Sequence, residues 1–286
     1  MLAGAAAHST SSTPPPRPPE MVGRGVMSTT APEFALSVTP DGRELYFTRA
    51  SADRLRLTIM VARRDPGGAW MTPKAAAFSG TFRDMDPFVT PDGRRLYFSS
   101  DRPRRVDGPR VFATWYVDRE GSRWGLPVDP GAPLNSGAGD VFFSTSRQGS
   151  SVFTSSRLGA MRPFITQATP AGWSAPSVLA LGTRTDAGNP AMAPSGRFVI
   201  VTLAGAGGQP DLFVSCRASD GAWTEPRALT AVNSPFADFA PFVDAAESTL
   251  YFSSERPGLV GPVPEGQRPP GDLYRIALDE AGVHCP

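Results

Sequence analysis

Hydrophobic positions along this chain fall in short runs that turn residues separate. The best-defined stretch reads PFVT at 87–90, Pro-Asp-Gly at 91–93, RRLYFSS at 94–100, RVFATWYVD at 110–118 and RWGLPVD at 123–129. Runs of this length that alternate in polarity, or are rich in β-branched and aromatic residues, are typical of β-strands. Gly93 supplies the positive φ that a tight hairpin needs, and Pro127 is tolerated in an outermost strand. We predict four antiparallel strands in this unit.

The same pattern recurs along the chain. The turn and the strand after it return as TPDGRELYF at 39–47, TPDGRRLYF at 90–98, SRQGSSVFT at 146–154, APSGRFVIV at 193–201 and DAAESTLYF at 244–252. A second marker, Trp-x-x-Pro, starts at Trp70, Trp124, Trp173 and Trp223, at spacings of 54, 49 and 50 residues. Such repeats are typical of β-propellers, because one blade cannot bury both of its faces alone. We predict an all-β, five-bladed β-propeller with these tryptophans in the wedges between blades.

The fifth unit ends without an outer strand. Residues 18–27 (PPEMVGRGVM) lie where the other units have their Trp-x-x-Pro strand. Because a bare strand edge promotes association, we expect this N-terminal strand to complete the last blade. The chain then divides into a disordered Ser- and Pro-rich segment at 1–18, one propeller domain at 19–280 and a tail at 281–286.

The composition of the chain argues against several classes of partner and of catalytic site. A formal charge of +1 gives no overall field for nucleic acid, and no segment approaches the roughly 20 apolar residues of a membrane helix. Both histidines, His8 and His284, lie outside the repeats, and Lys74 is the single lysine, which argues against histidine triads, histidine metal sites and Schiff-base chemistry. Cys216 and Cys285 could pair only if the last two blades bring them together, and we expect two ordinary thiols.

Several markers recur in register, as in DMDPFVTPDGRRLYFSSDR at 84–102, GDLYRIAL at 271–278 and AWTEP at 222–226. Together they resemble the TolB-like, WD-40-like β-propeller repeat of bacterial proteins over residues 19–280. Such repeats are often found in extracytoplasmic proteins of Gram-negative bacteria, where similar propellers serve as docking modules. The resemblance therefore implies a periplasmic or secreted protein, although residues 1–20 do not form a convincing signal peptide.

An acidic residue precedes the first strand of every unit when the units are aligned on their turns. These residues are Glu33, Asp84, Asp140, Asp186 and Asp238, the fourth displaced by one position. In a propeller the entry to strand one and the loop after strand two lie on the same face, which we call the channel-mouth face. The Asp-Gly turns lie on the opposite face, the turn face. We therefore expect the carboxylates to ring the mouth of the central channel.

Close carboxylates raise one another's pKa unless donors intervene, so this ring needs partners. The expected partners are arginines just after strand two, namely Arg49, Arg102, Arg157 and Arg256. The simplest interpretation is a set of structural ion pairs. Two others stay open: the five acids, with Arg102, Arg157 and Arg256, bind a polar ligand or a protein, or the acids hold a calcium ion.

Two loops break the repeat on the channel-mouth face, a Pro- and Gly-rich one at 253–272 and a basic one at 101–110. Long loops on a rigid scaffold commonly carry binding specificity. We predict a monomeric, non-catalytic extracytoplasmic scaffold that binds a protein, or a polar small molecule or glycan, without nucleic acid, membrane insertion or a required cofactor. The alternative is a glycan-active, glycoside hydrolase-like enzyme that uses some of Asp84, Asp140, Asp186 and Asp238. Catalysis is less favoured, because it needs carboxylates with different pKa values and these occupy equivalent positions.

Overall fold

The computed structural model describes residues 17–261, 263–264 and 267–285, and within them the chain forms 21 β-strands and no α-helix. The strands group into five antiparallel sheets, one for each blade. This confirms the predicted five-bladed β-propeller. Most of the expected disordered segment at 1–18 lies outside the described residues.

The strands follow one another from the inside of each blade to its outside. Strand β1 is Glu20–Met21, and blade 1 contains β2 (Glu33–Val38), β3 (Glu44–Ala50), β4 (Leu57–Arg63) and β5 (Lys74–Ala75). Blade 2 contains β6 (Asp84–Val89), β7 (Arg95–Ser100), β8 (Ala113–Glu120) and β9 (Arg123–Trp124). Blade 3 contains β10 (Asp140–Thr145), β11 (Ser150–Ser155), β12 (Arg162–Thr169), β13 (Gly172–Trp173) and β14 (Ser177–Val178). Blade 4 contains β15 (Gly188–Met192), β16 (Phe198–Ala204), β17 (Pro210–Cys216) and β18 (Arg227–Ala228), and blade 5 contains β19 (Asp238–Val243), β20 (Thr249–Ser254) and β21 (Asp272–Ala277).

The N-terminal strand closes the ring, as predicted. Strand β1 pairs antiparallel with β21, and the Val22 N–H donates to the Leu273 carbonyl at 2.8 Å. A few residues later Met27 is fully buried in the hydrophobic core. Blade 5 is therefore built from both ends of the described chain, and β21 does not present a bare edge.

A disulfide joins Cys216, at the end of β17, to Cys285 in the C-terminal tail, with a Cα–Cα distance of 5.5 Å. The expectation of two ordinary thiols is therefore wrong. The cause is the path of the tail after β21, where Leu278, Ala281 and Val283 are buried in a hydrophobic cluster shared with blade 4. The tail thus carries Cys285 back to the neighbouring blade.

Each inner strand has a β-bulge near its start, where one non-glycine residue has positive φ. These residues are Ala35 (49°), Asp86 (55°), Phe142 (55°), Asn189 (40°) and Ala240 (49°). At three of the bulges the backbone N–H donates to a buried hydroxyl of the preceding blade. The pairs are Ala35 to Ser253 at 2.9 Å, Asp86 to Thr48 at 3.1 Å and Phe142 to Ser99 at 3.1 Å. These bonds satisfy N–H groups that the bulge removes from the ladder, and they lock adjacent blades together.

Trp124 packs in the wedge between blades 1 and 2, as predicted for the repeated tryptophans. Between blades 1 and 2 the Trp124 indole N–H donates to the Tyr46 hydroxyl at 2.8 Å. Beside it the Arg119 guanidinium donates to the Glu44 carboxylate at 2.6 Å and lies 4.7 Å from the centre of the Trp124 ring. The hydrogen bond from Trp124 to Tyr46 and the ion pair of Arg119 with Glu44 close this wedge.

Candidate functional site

Four of the five predicted acids are almost fully buried at the start of an inner strand, namely Glu33, Asp84, Asp140 and Asp238. Each accepts hydrogen bonds from the turn that precedes its strand and from an arginine of its own blade. Asp140, for example, accepts from the Ser136 N–H at 2.6 Å, the Ser136 hydroxyl at 2.8 Å and the Arg157 guanidinium at 2.9 Å. The carboxylates are neutralised within their blades rather than by one another.

The arginines connect each acid to the segment that enters the blade. Arg102 donates to Asp84 at 2.8 Å and to the Phe78 carbonyl at 3.0 Å. Arg256 donates to Asp238 at 2.7 Å and to the Val232 carbonyl at 2.6 Å. The arrangement fixes geometry by charge-assisted hydrogen bonds in a partly desolvated place.

Sequence reasoning missed a serine that takes part in the same network. In three blades the arginine Nε donates to a serine hydroxyl two residues earlier, from Arg102 to Ser100, Arg157 to Ser155 and Arg256 to Ser254. A Ser-x-Arg motif at the end of strand two was therefore the available signal. Arg49 follows a different rule, because it lies within β3, directly opposite Glu33, and donates to it at 2.7 Å.

Asp186 departs from the expected ring. Its side chain is 65% exposed and pairs with Arg184 at 2.8 Å, whereas the neighbouring Ala187 is buried. Because β15 begins at Gly188, the inner strand of blade 4 places alanine where the other blades have the acid. The structure therefore groups four acids in equivalent buried places and leaves Asp186 at the surface. A ligand-binding role for these acids and for Arg102, Arg157 and Arg256, and a calcium ion among them, stay predictions.

A further acid faces this group where blades 5 and 1 meet. Asp272 is buried, and burial together with the negative charge of Glu33 raises its pKa to about 6. Burial also raises the pKa of Glu33 itself, against the lowering effect of Thr29 and Arg49. The Asp272 Oδ1 atom has no hydrogen-bond partner among the described residues. The sequence contained this acid in the GDLYRIAL marker at 271–278, but it did not show that β21 brings it close to Glu33.

The inner strands leave little space where their bulges meet. A cavity there, lined by the bulge residues Ala35, Asp86, Phe142 and Ala240, has a volume of about 20 Å³. Asp86 occupies the equivalent bulge position in blade 2 and is buried there, with its Oδ2 atom accepting from the Ser99 hydroxyl at 3.1 Å. Burial raises the pKa of Asp86 to about 7. Sequence reasoning missed this acid because it stands two residues after Asp84 and does not recur in the other units.

The loops of the channel-mouth face carry exposed apolar side chains. Leu55, Val106 and Leu158 are 70%, 90% and 64% exposed, and each lies in the loop between the second and third strands of blades 1, 2 and 3. Met161 and Phe236 lie on the same face and are also exposed. At the channel mouth Phe34 and Phe239 are half-buried, with ring centres 6.4 Å apart. The face thus combines an apolar centre with apolar loop tips.

No family model matches this chain, and no curated protein matches it. Solved structures similar to it include TolB-like and glycoside hydrolase propellers. A putative TolB from Agrobacterium tumefaciens aligns at 15% identity and a TM-score of 0.52, covering 78% of this chain and 70% of that one. An α-L-arabinofuranosidase from Podospora anserina aligns at 15% identity and a TM-score of 0.52, covering 92% and 94%. An endo-arabinanase from Bacillus licheniformis aligns at 10% identity and a TM-score of 0.55, covering 88% and 95%.

At these identities the comparisons establish fold and nothing finer, because propellers with unrelated activities share the same blades. In the described part of the chain no helix is long and apolar enough to cross a membrane. The chain has a TolB-like, five-bladed β-propeller fold.

Proposed function

We propose that this chain is a non-catalytic scaffold that docks a protein partner on its channel-mouth face. The observation that carries the proposal is the set of exposed apolar side chains on loops of that face, Leu55, Val106, Leu158, Met161 and Phe236. Single exposed apolar residues are ordinary on a monomer, but several that share one face mark an interaction surface.

The surroundings of these loop tips suit a protein interface. Arg104 pairs with Asp129 at 2.6 Å, and Arg110 pairs with Asp101 at 2.8 Å, so charged side chains near the loop of Val106 are held by their own neighbours. Protein interfaces commonly place apolar contacts at the centre and polar groups at the rim. A partner could therefore bury the apolar tips without leaving these charges unpaired.

The acids support a scaffold more than an enzyme. Glycoside hydrolysis uses two carboxyl groups about 5 to 10 Å apart that both reach the substrate. Glu33, Asp84, Asp140 and Asp238 are buried and are each engaged by an arginine of their own blade. Opening any of them to a sugar would break an internal ion pair. Similarity of fold to arabinan-active enzymes does not transfer their activity.

We also propose that the protein works outside the cytoplasm. The support is the disulfide between Cys216 and Cys285, since such bonds form and persist in oxidising compartments. Fractionation of the source cells with detection of the native protein tests this proposal. Detection in the cytoplasm with both thiols alkylatable would contradict it.

The docking proposal is tested with a triple variant, Leu55→Ser/Val106→Ser/Leu158→Ser. The matched control is Met71→Ser/Leu126→Ser, which removes exposed apolar side chains at 53% and 86% exposure from the outer edge of blades 1 and 2. Each tagged protein is cross-linked in an extract of the source cells, and captured proteins are quantified by mass spectrometry. We expect a protein captured by the wild type and the control and reduced about tenfold or more by the triple variant. Equal capture by all three proteins, or turnover of a glycoside panel by the wild type, would contradict the proposal.

A further inference from the structure

The repeated tryptophans differ between blades in one respect that bears on binding. In three blades an arginine at the end of the third strand, or directly after it, lies over the tryptophan ring. The distances to the ring centre are 4.1 Å for Arg64 over Trp70, 4.7 Å for Arg119 over Trp124 and 5.8 Å for Arg217 over Trp223. Each arginine is also the backbone partner of its tryptophan across the hairpin. The covering arginine is therefore part of the blade's pattern.

Blade 3 lacks this arginine. Ala168 is the backbone partner of Trp173, and none of the described arginines lies over the Trp173 ring. Ala168 is exposed, while Trp173 is half-buried and makes an edge-to-face contact with Phe143 at 5.4 Å. An aromatic surface that its own chain covers in other blades is left available here.

The absence of this arginine also leaves the wedge between blades 2 and 3 open. In the wedge between blades 1 and 2 the pair of Glu44 and Arg119 closes this position. In the next wedge Arg95 stands in the place of Glu44, and Ala168 stands in the place of Arg119, so the ion pair cannot form. Arg95 instead bonds Asp118 of its own blade at 2.6 and 2.9 Å.

The result is a cleft of about 870 Å³ on the turn face, between the turns of blades 2 and 3. Its volume lies within the range of ligand sites in proteins, roughly 300 to 1,000 Å³. Trp173 and Tyr97 line it, together with both acidic and basic side chains. The cleft lies on the face opposite the loop tips proposed for protein docking, so it stands independently of that proposal.

We propose that this cleft binds a neutral oligosaccharide, with Trp173 as the surface on which a sugar ring stacks. The charged residues that line it are Asp92, Arg94, Arg95, Asp118 and Arg147, and the charges of Arg95 and Asp118 cancel in their bidentate pair. Arg147 is paired with Glu247 at 3.7 Å, so Asp92 and Arg94 leave the lining without an excess of either charge for an ionic ligand to match. A sugar offers C–H groups to an aromatic face, and its hydroxyls can donate hydrogen bonds to carboxylates and accept them from guanidinium groups.

The decisive variant restores the missing arginine. Ala168→Arg places a guanidinium opposite Trp173, as in the neighbouring blades, and should cover the ring without loss of thermal stability. The matched control is Ala171→Arg, which adds the same side chain at the exposed tip of the same hairpin, at a position that does not line the cleft. Cellotriose, maltotriose, xylotriose and chitotriose are titrated into each protein and followed by calorimetry and tryptophan fluorescence, with trilysine and trigalacturonate as charged comparators.

We expect at least one neutral trisaccharide to bind the wild type and the Ala171→Arg control alike, and to bind Ala168→Arg at least about tenfold more weakly. Three results would overturn the proposal. These are no binding of any neutral trisaccharide at about 10 mM, binding that Ala168→Arg leaves unchanged, and binding of a charged comparator alone. Thermal melting of each variant shows that a lost signal is not a lost fold.

Discussion

Replacing Asp84 by asparagine tests whether the buried acids serve the fold or a reaction. Asparagine has nearly the same shape, so the substitution removes the negative charge without opening a cavity. Arg102 would then remain with its side chain only 10% exposed and without a counter-charge. Its other acceptors, the Ser100 hydroxyl and the Phe78 carbonyl, are neutral. The free energy of unfolding should fall, because an unpaired buried charge is poorly solvated.

The magnitude follows from that environment. Removing one partner of a buried ion pair costs about 3 to 5 kcal/mol. We expect the lower end, about 3 kcal/mol, because Arg102 keeps two neutral acceptors and lies 4.9 Å from the centre of the Phe98 ring. For 286 residues the unfolding entropy is about 0.6 kcal/mol per kelvin, so the melting temperature should fall by about 5 °C. Thermal denaturation followed by circular dichroism measures it.

Asp186→Asn is the matched control, since this acid is 65% exposed and should shift the melting temperature by no more than about 1 °C. Adding Arg102→Met to Asp84→Asn removes the stranded charge and should recover part of the loss, which a double-mutant cycle quantifies. The reasoning is refuted if Asp84→Asn melts like Asp186→Asn. It is refuted equally if Asp84→Asn abolishes an enzymatic turnover while the melting temperature is unchanged.

Three further predictions concern closure of the ring and the channel. Cys216→Ser/Cys285→Ser should lower the free energy of unfolding by about 4 kcal/mol and the melting temperature by about 7 °C, because the disulfide closes a loop of 69 residues. An unchanged melting curve for both this variant and the reduced wild type would disprove this prediction. The folded pKa of Asp86, about 7, lies above its ordinary value of 3.8, so the folded state binds the extra proton and wild-type stability should fall as pH rises from about 4 to 7. In urea titrations the free energy of unfolding of Asp86→Asn should therefore exceed that of the wild type by up to about 4 kcal/mol above pH 7 and by little at pH 4. A difference that does not depend on pH would contradict the raised pKa of Asp86. Deleting residues 1–28 removes β1 and the buried Met27 and exposes the edge of β21, so we expect oligomers on size-exclusion chromatography. A monomer of full stability would show that β1 is not needed to close the ring.

Fold and blade count were readable from sequence because they depend on local signals that repeat. Turn residues such as Gly93, with φ of 72°, and short alternating runs specify hairpins within a few residues. Five copies in register predict a closed ring of blades. The last copy lacks an outer strand, and this pointed to residues 18–27 as the strand that completes it.

The sequence located only four of the five predicted acids correctly. Four of them follow the repeat because each binds the turn just before it and an arginine of the same blade, and that arginine lies no more than 18 residues away along the chain. Asp186 did not follow, because alignment on the turns already displaces it by one position, and the structure places Ala187, not Asp186, at the equivalent buried position. One residue of register decides between a buried ion pair and the solvent.

The repeated sequence by itself determined the propeller, its five blades and the strand that closes it. Tertiary structure alone decided that the tail brings Cys285 to Cys216, that Asp86 is buried in the channel wall, and that the cleft beside Trp173 stays open. The physical reason is that each of these features depends on contacts between blades, which join segments far apart in the chain. Hydrophobic periodicity specifies what one blade buries, but only packing of the whole ring determines which side chains meet across a wedge.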